Sequence, residues 1–147
     1  MLFRSYMSKI AVVYWSGTGN TEAMAKLVEE GIVAAGGQAD LLPPTIFTPD
    51  LVSGYDAIAF GCPSMGAEQL EEGEFQPMFD AVKGSLSGKT IGLFGSYGWG
   101  DGEWMRTWAE ECEDLGCKLA DEPVIAHEAP DADAADACRA LGKALAG

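Results

Sequence analysis

The sequence predicts an α/β protein of three layers, in which a five-stranded parallel sheet lies between helices on both of its faces. Segments rich in β-branched and aromatic residues alternate five times with segments of helical spacing, an order typical of parallel βαβ units with right-handed crossovers. One strand segment, Ala57–Cys62, is an almost continuous apolar run, as expected of a strand buried on both faces. The alternation and this buried strand together predict the fold class.

The individual elements follow from residue periodicity and from helix-stop signals. In the first helix, Met24, Val28 and Ile32 recur at helical spacing, and Gly36 and Gly37 follow its end. The predicted strands are Lys9–Trp15, Gln38–Leu42, Ala57–Cys62, Thr90–Tyr97 and Pro123–His127. The predicted helices are Thr21–Ala35, Phe75–Val82, Trp104–Leu115 and Asp131–Ala146.

The length of the chain predicts a single domain. With 147 residues, 48% of them hydrophobic, the chain can build one substantial core. Residues 1–8 are poorly patterned and precede a clear strand, so we expect a short N-terminal extension without function, followed by one domain over residues 9–147.

The charge of the chain excludes several classes of partner. The sequence has 23 acidic and 9 basic residues, which argues against binding to nucleic acid or anionic membranes and favours protein partners with basic patches. No run approaches the roughly 20 apolar residues of a membrane helix. The four cysteines form no CxxC pair, and no signal-like segment precedes them. We therefore expect a soluble cytoplasmic protein with reduced thiols and no metal site.

Three loops with unusual residues follow the ends of predicted strands, and the first resembles a phosphate-binding turn. In parallel sheets, ligands bind beyond the carboxyl ends of the strands. Gly17 and Gly19 permit a turn of converging N–H groups at a helix N-terminus, and neighbouring hydroxyl and amide side chains add donors. The loop lacks the GK[ST] ending of nucleotide hydrolases and fails the GxGxxG dinucleotide pattern. It predicts a site for a monophosphate that is held and not hydrolysed.

The other two loops offer flat or flexible apolar side chains. After the third strand, Met65 stands beside Gly66 and a carboxylate, and a methionine there can press against a flat ring. After the fourth strand, Tyr97 and Trp99 lie between glycines, which favours exposed aromatic rings available for stacking.

Three stretches together carry a resemblance to a known family. The segments YWSGTGNTEAMA, GCPSMGAEQLE and GLFGSYGWGDGEWM closely resemble the phosphate loop and the two flavin-flanking loops of the short-chain flavodoxins. The resemblance runs from about Lys9 to the end of the chain, without the long insertion in the last strand that other flavodoxins have. It implies a flavodoxin-like α/β/α fold with strand order 2-1-3-4-5 and a non-covalently bound FMN, whose 5′-phosphate would occupy the first loop.

The resemblance also implies a role for each loop. The first loop would enclose the phosphate, Met65 and Trp99 would cover the two faces of the isoalloxazine ring, and Glu68 would accept from flavin N3–H. The Gly66–Ala67 peptide would turn its carbonyl toward flavin N5 in the neutral semiquinone. The implied cofactor-binding residues are Ser16, Gly17, Thr18, Gly19, Asn20, Thr21, Pro63, Ser64, Met65, Gly66, Ala67, Glu68, Ser96, Tyr97, Gly98, Trp99 and Gly100.

Two positions depart from the pattern of close relatives. Ala67 stands where a serine or aspartate is expected, which removes a side-chain hydrogen bond and predicts a modest change in semiquinone stability. His127, the only histidine, stands where relatives tend to have asparagine. We expect it to be solvated or capping, near the rim of the pocket.

The resemblance implies an electron-transfer protein and not an enzyme. The expected function is a low-potential one-electron carrier that cycles mainly between semiquinone and hydroquinone, because the surrounding acids disfavour the anionic reduced flavin. Its partners would be flavodoxin- or ferredoxin-dependent oxidoreductases with basic docking patches, and the carrier itself would be a monomer. The alternative is a flavodoxin-like NAD(P)H-dependent quinone reductase, although the chain shows no nicotinamide platform and no obvious general acid.

Overall fold

A computed structural model describes residues 8–147 of the chain. Most predicted elements recur with ends shifted by at most two residues. The strands are β1 (Lys9–Tyr14), β2 (Gln38–Leu42), β3 (Ala57–Gly61), β4 (Thr90–Tyr97), β5 (Lys118–Leu119) and β6 (Val124–His127). The α-helices are α1 (Asn20–Ala34), α2 (Pro49–Val52), α3 (Phe75–Val82), α4 (Glu103–Asp114) and α5 (Ala132–Ala146).

The sheet is parallel, and the predicted strand order is confirmed. The order is β2-β1-β3-β4-β5, and β6 also pairs with β4. The fifth position is thus filled by two segments: β5 pairs with the start of β4, at Thr90–Ile91, and β6 pairs with its end, at Phe94–Tyr97. The sequence predicts only the second segment, because β5 has two residues and shows no periodicity. Because β2 and β3 lie on opposite sides of β1, the strand order reverses at β1, and a topological switch point lies at the carboxyl ends of β1 and β3.

A hydrophobic core lies on each face of the sheet. On one face, α3 and α4 pack an aromatic cluster against β3, with Phe60 edge-on to Phe79 at 5.4 Å and Phe75 edge-on to Trp108 at 5.4 Å. On the other face, α1 and α5 cover β1 and β3 through aliphatic residues. The buried strand β3 therefore has apolar neighbours on both faces, as its sequence predicts.

The helices α1 and α5 approach each other closely because both carry a glycine at the contact. A Cβ added to Gly142 would lie 2.2 Å from the Val28 carbonyl oxygen, and one added to Gly31 would lie 2.0 Å from the Arg139 carbonyl oxygen. Any larger side chain would push the two helices apart.

The expected N-terminal extension lies outside the described residues except for Ser8. Ser8 is buried, its hydroxyl donates to the Ala146 carbonyl at 3.0 Å, and its carbonyl accepts from Gln38 N–H at 2.7 Å. Ser8 therefore contacts both the sheet edge and the end of α5. Within the described part of the chain, no helix combines the length and the apolarity needed to cross a membrane.

Candidate functional site

Four loops meet at the carboxyl ends of the strands and form a cleft of about 280 Å³. The loops follow β1, β3, β4 and β6, so the cleft lies where the strand order reverses. Among the described residues that line the cleft, none is a lysine or arginine, and one, Glu128, carries a carboxylate. The lining residues are Trp15, Ser16, Gly17, Thr18, Asn20, Thr21, Pro63, Ser64, Met65, Ser96, Tyr97, Gly98 and Glu128.

The loop after β1 is held by a serine hydroxyl. Ser16 Oγ accepts from Gly19 N–H at 3.1 Å and from Glu22 N–H at 3.2 Å. Gly19 adopts a left-handed conformation with φ 97° and immediately precedes α1, which favours glycine because it has no Cβ. The Ser16 oxygen thus holds the loop in place by accepting two hydrogen bonds, while the Ser16 hydroxyl proton remains able to donate.

Thr21 carries a donor that the described protein leaves without a partner. The residue is 2% exposed, and its Oγ1 makes no hydrogen bond. Thr21 lies in the first turn of α1, where backbone N–H groups also lack helical acceptors and the helix dipole is positive. A buried hydroxyl without a partner is costly, and an anion in the cleft would remove that cost. The donor set of this loop fits a phosphate.

The loop after β3 is a tight turn with two residues in left-handed conformation. Met65 and Gln69 exchange two backbone hydrogen bonds, at 2.8 and 3.0 Å. Between them, Gly66 has φ 51° and Glu68 has φ 54°. A Cβ at Gly66 would meet no atom within 4 Å, so the backbone conformation, and not a lack of space, favours glycine there.

The turn continues into a carboxylate that organises the start of α3. The Glu71 side chain accepts from the N–H groups of Gly73, Glu74 and Phe75, at 2.7, 2.8 and 2.8 Å. Burial of Glu71 raises its pKa, but the three backbone hydrogen bonds outweigh burial and hold the pKa below its ordinary value. The charged form of Glu71 therefore stabilises the second half of this loop.

The loop after β4 is anchored on its neighbours at both ends. The buried Trp104 Nε1 donates to the Cys62 carbonyl at 3.2 Å, and the buried Ser96 Oγ donates to the Glu128 carbonyl at 2.7 Å. Between these anchors, Trp99 is 63% exposed. The structure therefore presents a free indole on a fixed loop, as the glycine-flanked sequence predicts.

His127 contacts the same loop from β6. Its Nε2 lies 3.3 Å from the Gly98 carbonyl oxygen, and its ring packs edge-on against Tyr97 at 5.2 Å. The histidine is exposed, in line with a solvated residue near the rim, but it also holds the peptide that precedes Trp99.

The structure brings most of the predicted site residues together. Eleven of the seventeen line the cleft. Of the other six, Gly19 precedes α1, while Glu68 and Gly100 touch each other at the rim. The remaining three are the exposed residues Gly66, Ala67 and Trp99.

Two lining residues were missed by the sequence reasoning. Trp15 is the last residue of the first predicted strand. Glu128 follows β6 with φ 60° and donates its N–H to the Tyr97 carbonyl at 2.8 Å. The rule that loops meet at the carboxyl ends of parallel strands could have indicated Glu128, because it is the first residue after β6. No group of three or more potential metal-ligating side chains occurs within residues 8–147.

Comparisons with known proteins identify the family of the chain. The family model described as flavodoxin matches residues 12–142. The chain is 42% identical to a flavodoxin of Clostridium beijerinckii, with 92% of this chain and 97% of the relative covered. It is 44% identical to a flavodoxin of Megasphaera elsdenii, with 93% and 98% covered.

A solved structure agrees with both the fold and the family. The solution structure of two-electron reduced Megasphaera elsdenii flavodoxin superposes with a TM-score of 0.86, at 44% identity, and covers 93% of this chain and 98% of that one. These two flavodoxins are electron-transfer proteins rather than enzymes, and nothing in the comparisons favours a quinone reductase. Strand order and sequence agree, and the chain belongs to the flavodoxins, a family of FMN-binding electron carriers.

Proposed function

We propose that the protein is a low-potential, monomeric carrier of single electrons that works in the cytoplasm between redox proteins with basic docking patches. When bound, FMN supplies an isoalloxazine ring that takes up and returns one electron at a time. The observation that carries the proposal is a cleft without cationic side chains, with an unpartnered buried hydroxyl at a helix N-terminus.

The first loop would hold the FMN phosphate by hydrogen bonds alone. Ser16 keeps the loop in shape through Gly19 and Glu22, and Thr21 Oγ1 is free to donate. Hydrogen bonds to a charged group contribute roughly 1.5–3 kcal/mol each. A few such bonds and the helix dipole can therefore replace the lysine of other phosphate loops.

The other loops would hold the ring. Met65 lines the cleft and Trp99 is exposed beside it, which fits a methionine on one face and an indole on the other. Glu68 would accept from N3–H at the rim. The Gly66–Ala67 peptide lies in an exposed turn, where either its C=O or its N–H can face N5.

The acidic surroundings would lower the potential of the second electron. Glu68, Asp101 and Glu103 lie in or next to the rim loops, and Glu128 lines the cleft. A carboxylate ~10 Å from the flavin raises the free energy of an added negative charge there by about 1.7 kcal/mol, at an effective dielectric constant of ~20. For one electron this corresponds to about 70 mV, before screening by salt.

A redox titration tests this function. The FMN-loaded protein is titrated potentiometrically, and both one-electron couples are compared with those of free FMN. We expect the more negative couple to lie well below that of free FMN. A couple close to the free value would contradict the proposal.

The docking part of the proposal has a separate test. The rate of electron transfer to cytochrome c, used as a basic acceptor, should fall steeply as ionic strength rises, because screening weakens the attraction between opposite charges. A rate that does not depend on salt would contradict docking through the acidic surface. Size-exclusion chromatography at several protein concentrations tests whether the protein is a monomer.

A further inference from the structure

The C-terminal end of α4 brings two of the four cysteines together. Gly116 has a left-handed φ of 87° and donates its N–H to the Glu113 carbonyl at 3.0 Å, while Cys117 N–H donates to the Cys112 carbonyl at 3.1 Å. These two bonds define a Schellman motif, in which the side chains at the positions of Cys112 and Cys117 meet. That contact is frequently hydrophobic, whereas here it joins two thiols.

The two thiols interact, but they differ in exposure. Cys112 is fully buried, while Cys117 is half-buried. Burial raises the pKa of both; their mutual hydrogen bond raises the pKa of Cys112 further and lowers that of Cys117. Compared with Cys112, Cys117 loses its proton more readily. Cys117 is also the one of the two that solvent can reach.

We propose that Cys112 and Cys117 form a reversible intramolecular disulfide when the protein meets hydrogen peroxide. The Cys117 thiol gives up its proton, its sulfur attacks one peroxide oxygen and the O–O bond breaks; the leaving hydroxide takes up that proton, so that a sulfenic acid and one water result. The Cys112 sulfur then attacks the Cys117 sulfur, the S–O bond breaks, and the hydroxide leaves with the Cys112 proton as a second water. In total, the two thiols lose two protons and two electrons, and the peroxide is reduced to water.

The remaining cysteines provide an internal contrast. Cys62 and Cys138 are fully buried, and burial raises the pKa of each to about 12. Cys62 lies at the end of β3 and Cys138 lies in α5, on opposite faces of the sheet. Neither has a cysteine partner, so neither can pass from a sulfenic acid to an internal disulfide.

The bridge would act at the end of the sheet remote from the cleft. Cys117 directly precedes β5, which pairs with the start of β4 at Thr90–Ile91, whereas the cleft is lined by Ser96 and Tyr97 at the end of β4. The bridge would therefore tie α4 to the sheet edge and restrict the unfolded chain. We expect higher stability with unchanged FMN affinity.

Peptide mapping tests the proposal directly, because trypsin separates the cysteines. Cleavage after lysine and arginine leaves Cys112 and Cys117 together in Thr107–Lys118, Cys62 in Leu27–Lys83 and Cys138 in Leu119–Arg139. The FMN-loaded protein is treated with hydrogen peroxide, quenched with catalase, unfolded, alkylated with N-ethylmaleimide and digested. We expect Thr107–Lys118 to lose two hydrogens and carry no label, and to accept two labels after treatment with dithiothreitol. The other two peptides should each carry one label.

Matched variants keep the test decisive. Cys117→Ser should show no bridge and no oxidant-dependent rise in the unfolding temperature, whereas Cys138→Ser should behave like the parent in both assays. In the parent, the oxidised form should unfold several degrees higher, and dithiothreitol should reverse the shift. Full labelling of Thr107–Lys118 after peroxide, a sulfinic acid on Cys117 beside a free Cys112, or a disulfide between two chains would each overturn the proposal.

Discussion

Glu68 Oε1 accepts a hydrogen bond from the backbone N–H of Glu103 at 3.2 Å, which joins the loop after β3 to the N-terminus of α4. A Cβ at Gly100 would lie 2.4 Å from the same oxygen, and Gly100 has a left-handed φ of 86°, so glycine is favoured where the loop after β4 passes the carboxylate. One acidic side chain thus connects the two loops that would flank the flavin ring, and the positive end of the α4 dipole stabilises its charge.

Glu68→Gln should raise the more negative redox couple. The variant keeps an oxygen for Glu103 N–H but removes one negative charge from the rim, and a charge at ~10 Å changes the potential by about 70 mV at most. Glu113→Gln is the control, because it removes the same charge from the far end of α4, beyond a Debye length. Potentiometric titration measures both variants, and equal shifts in the two would contradict a local effect.

Thr21→Val should weaken FMN binding without destabilising the apoprotein. The isosteric change removes a buried hydroxyl that has no partner in the described protein, so the free energy of unfolding of the apoprotein should stay the same or rise. The dissociation constant of FMN should rise about 10- to 100-fold, as expected for a lost hydrogen bond to a charged group. Calorimetric titration tests this, with the exposed Thr107→Val as control. Unchanged affinity would contradict a phosphate role for Thr21.

His127→Ala should weaken FMN binding modestly. The variant frees the Gly98 carbonyl, which His127 Nε2 holds at 3.3 Å, and so loosens the peptide before Trp99. A typical hydrogen bond contributes a net ~1 kcal/mol, and the loss of that free energy corresponds to about a fivefold change in affinity. His127→Gln keeps a donor and should restore most of the loss. Flavin fluorescence quenching measures the affinities, and equal losses in both variants would exclude the hydrogen bond as the cause.

Gly142→Ala should destabilise the fold through the contact of α1 and α5. Its added Cβ would lie 2.2 Å from the Val28 carbonyl oxygen, and overpacking of this kind typically costs about 1–3 kcal/mol. Urea unfolding of the apoprotein measures the loss. Gly84→Ala serves as control, because a Cβ there would meet no atom within 4 Å.

Glu71→Gln should lower stability at neutral pH but much less in acid. Backbone hydrogen bonds hold the folded pKa of Glu71 below its ordinary value. Its charged form therefore contributes stability above that ordinary value, and the contribution is lost as the pH falls through the folded pKa. Urea unfolding of parent and variant across the acid range should show their difference shrinking as the pH falls. A difference independent of pH would show that the charge of Glu71 does not matter.

The sequence alone determined the elements, their order and the identity of the main loops. Apolar runs and helical spacing are local properties, so strands such as β3 and helices such as α3 could be predicted almost to the residue. The glycines and hydroxyls between Ser16 and Thr21 predicted an anion, and the three motifs together indicated the family and its cofactor.

Only the tertiary structure decided which groups meet. The unpartnered Thr21 hydroxyl, the bond from Glu103 N–H to Glu68 and the place of Glu128 in the cleft depend on strand order and register, which join residues far apart in the chain. The two-residue β5 and the contact of Cys112 with Cys117 likewise follow from how α4 ends against the sheet. Periodicity has a range of a few residues, whereas these contacts arise only once the sheet has assembled.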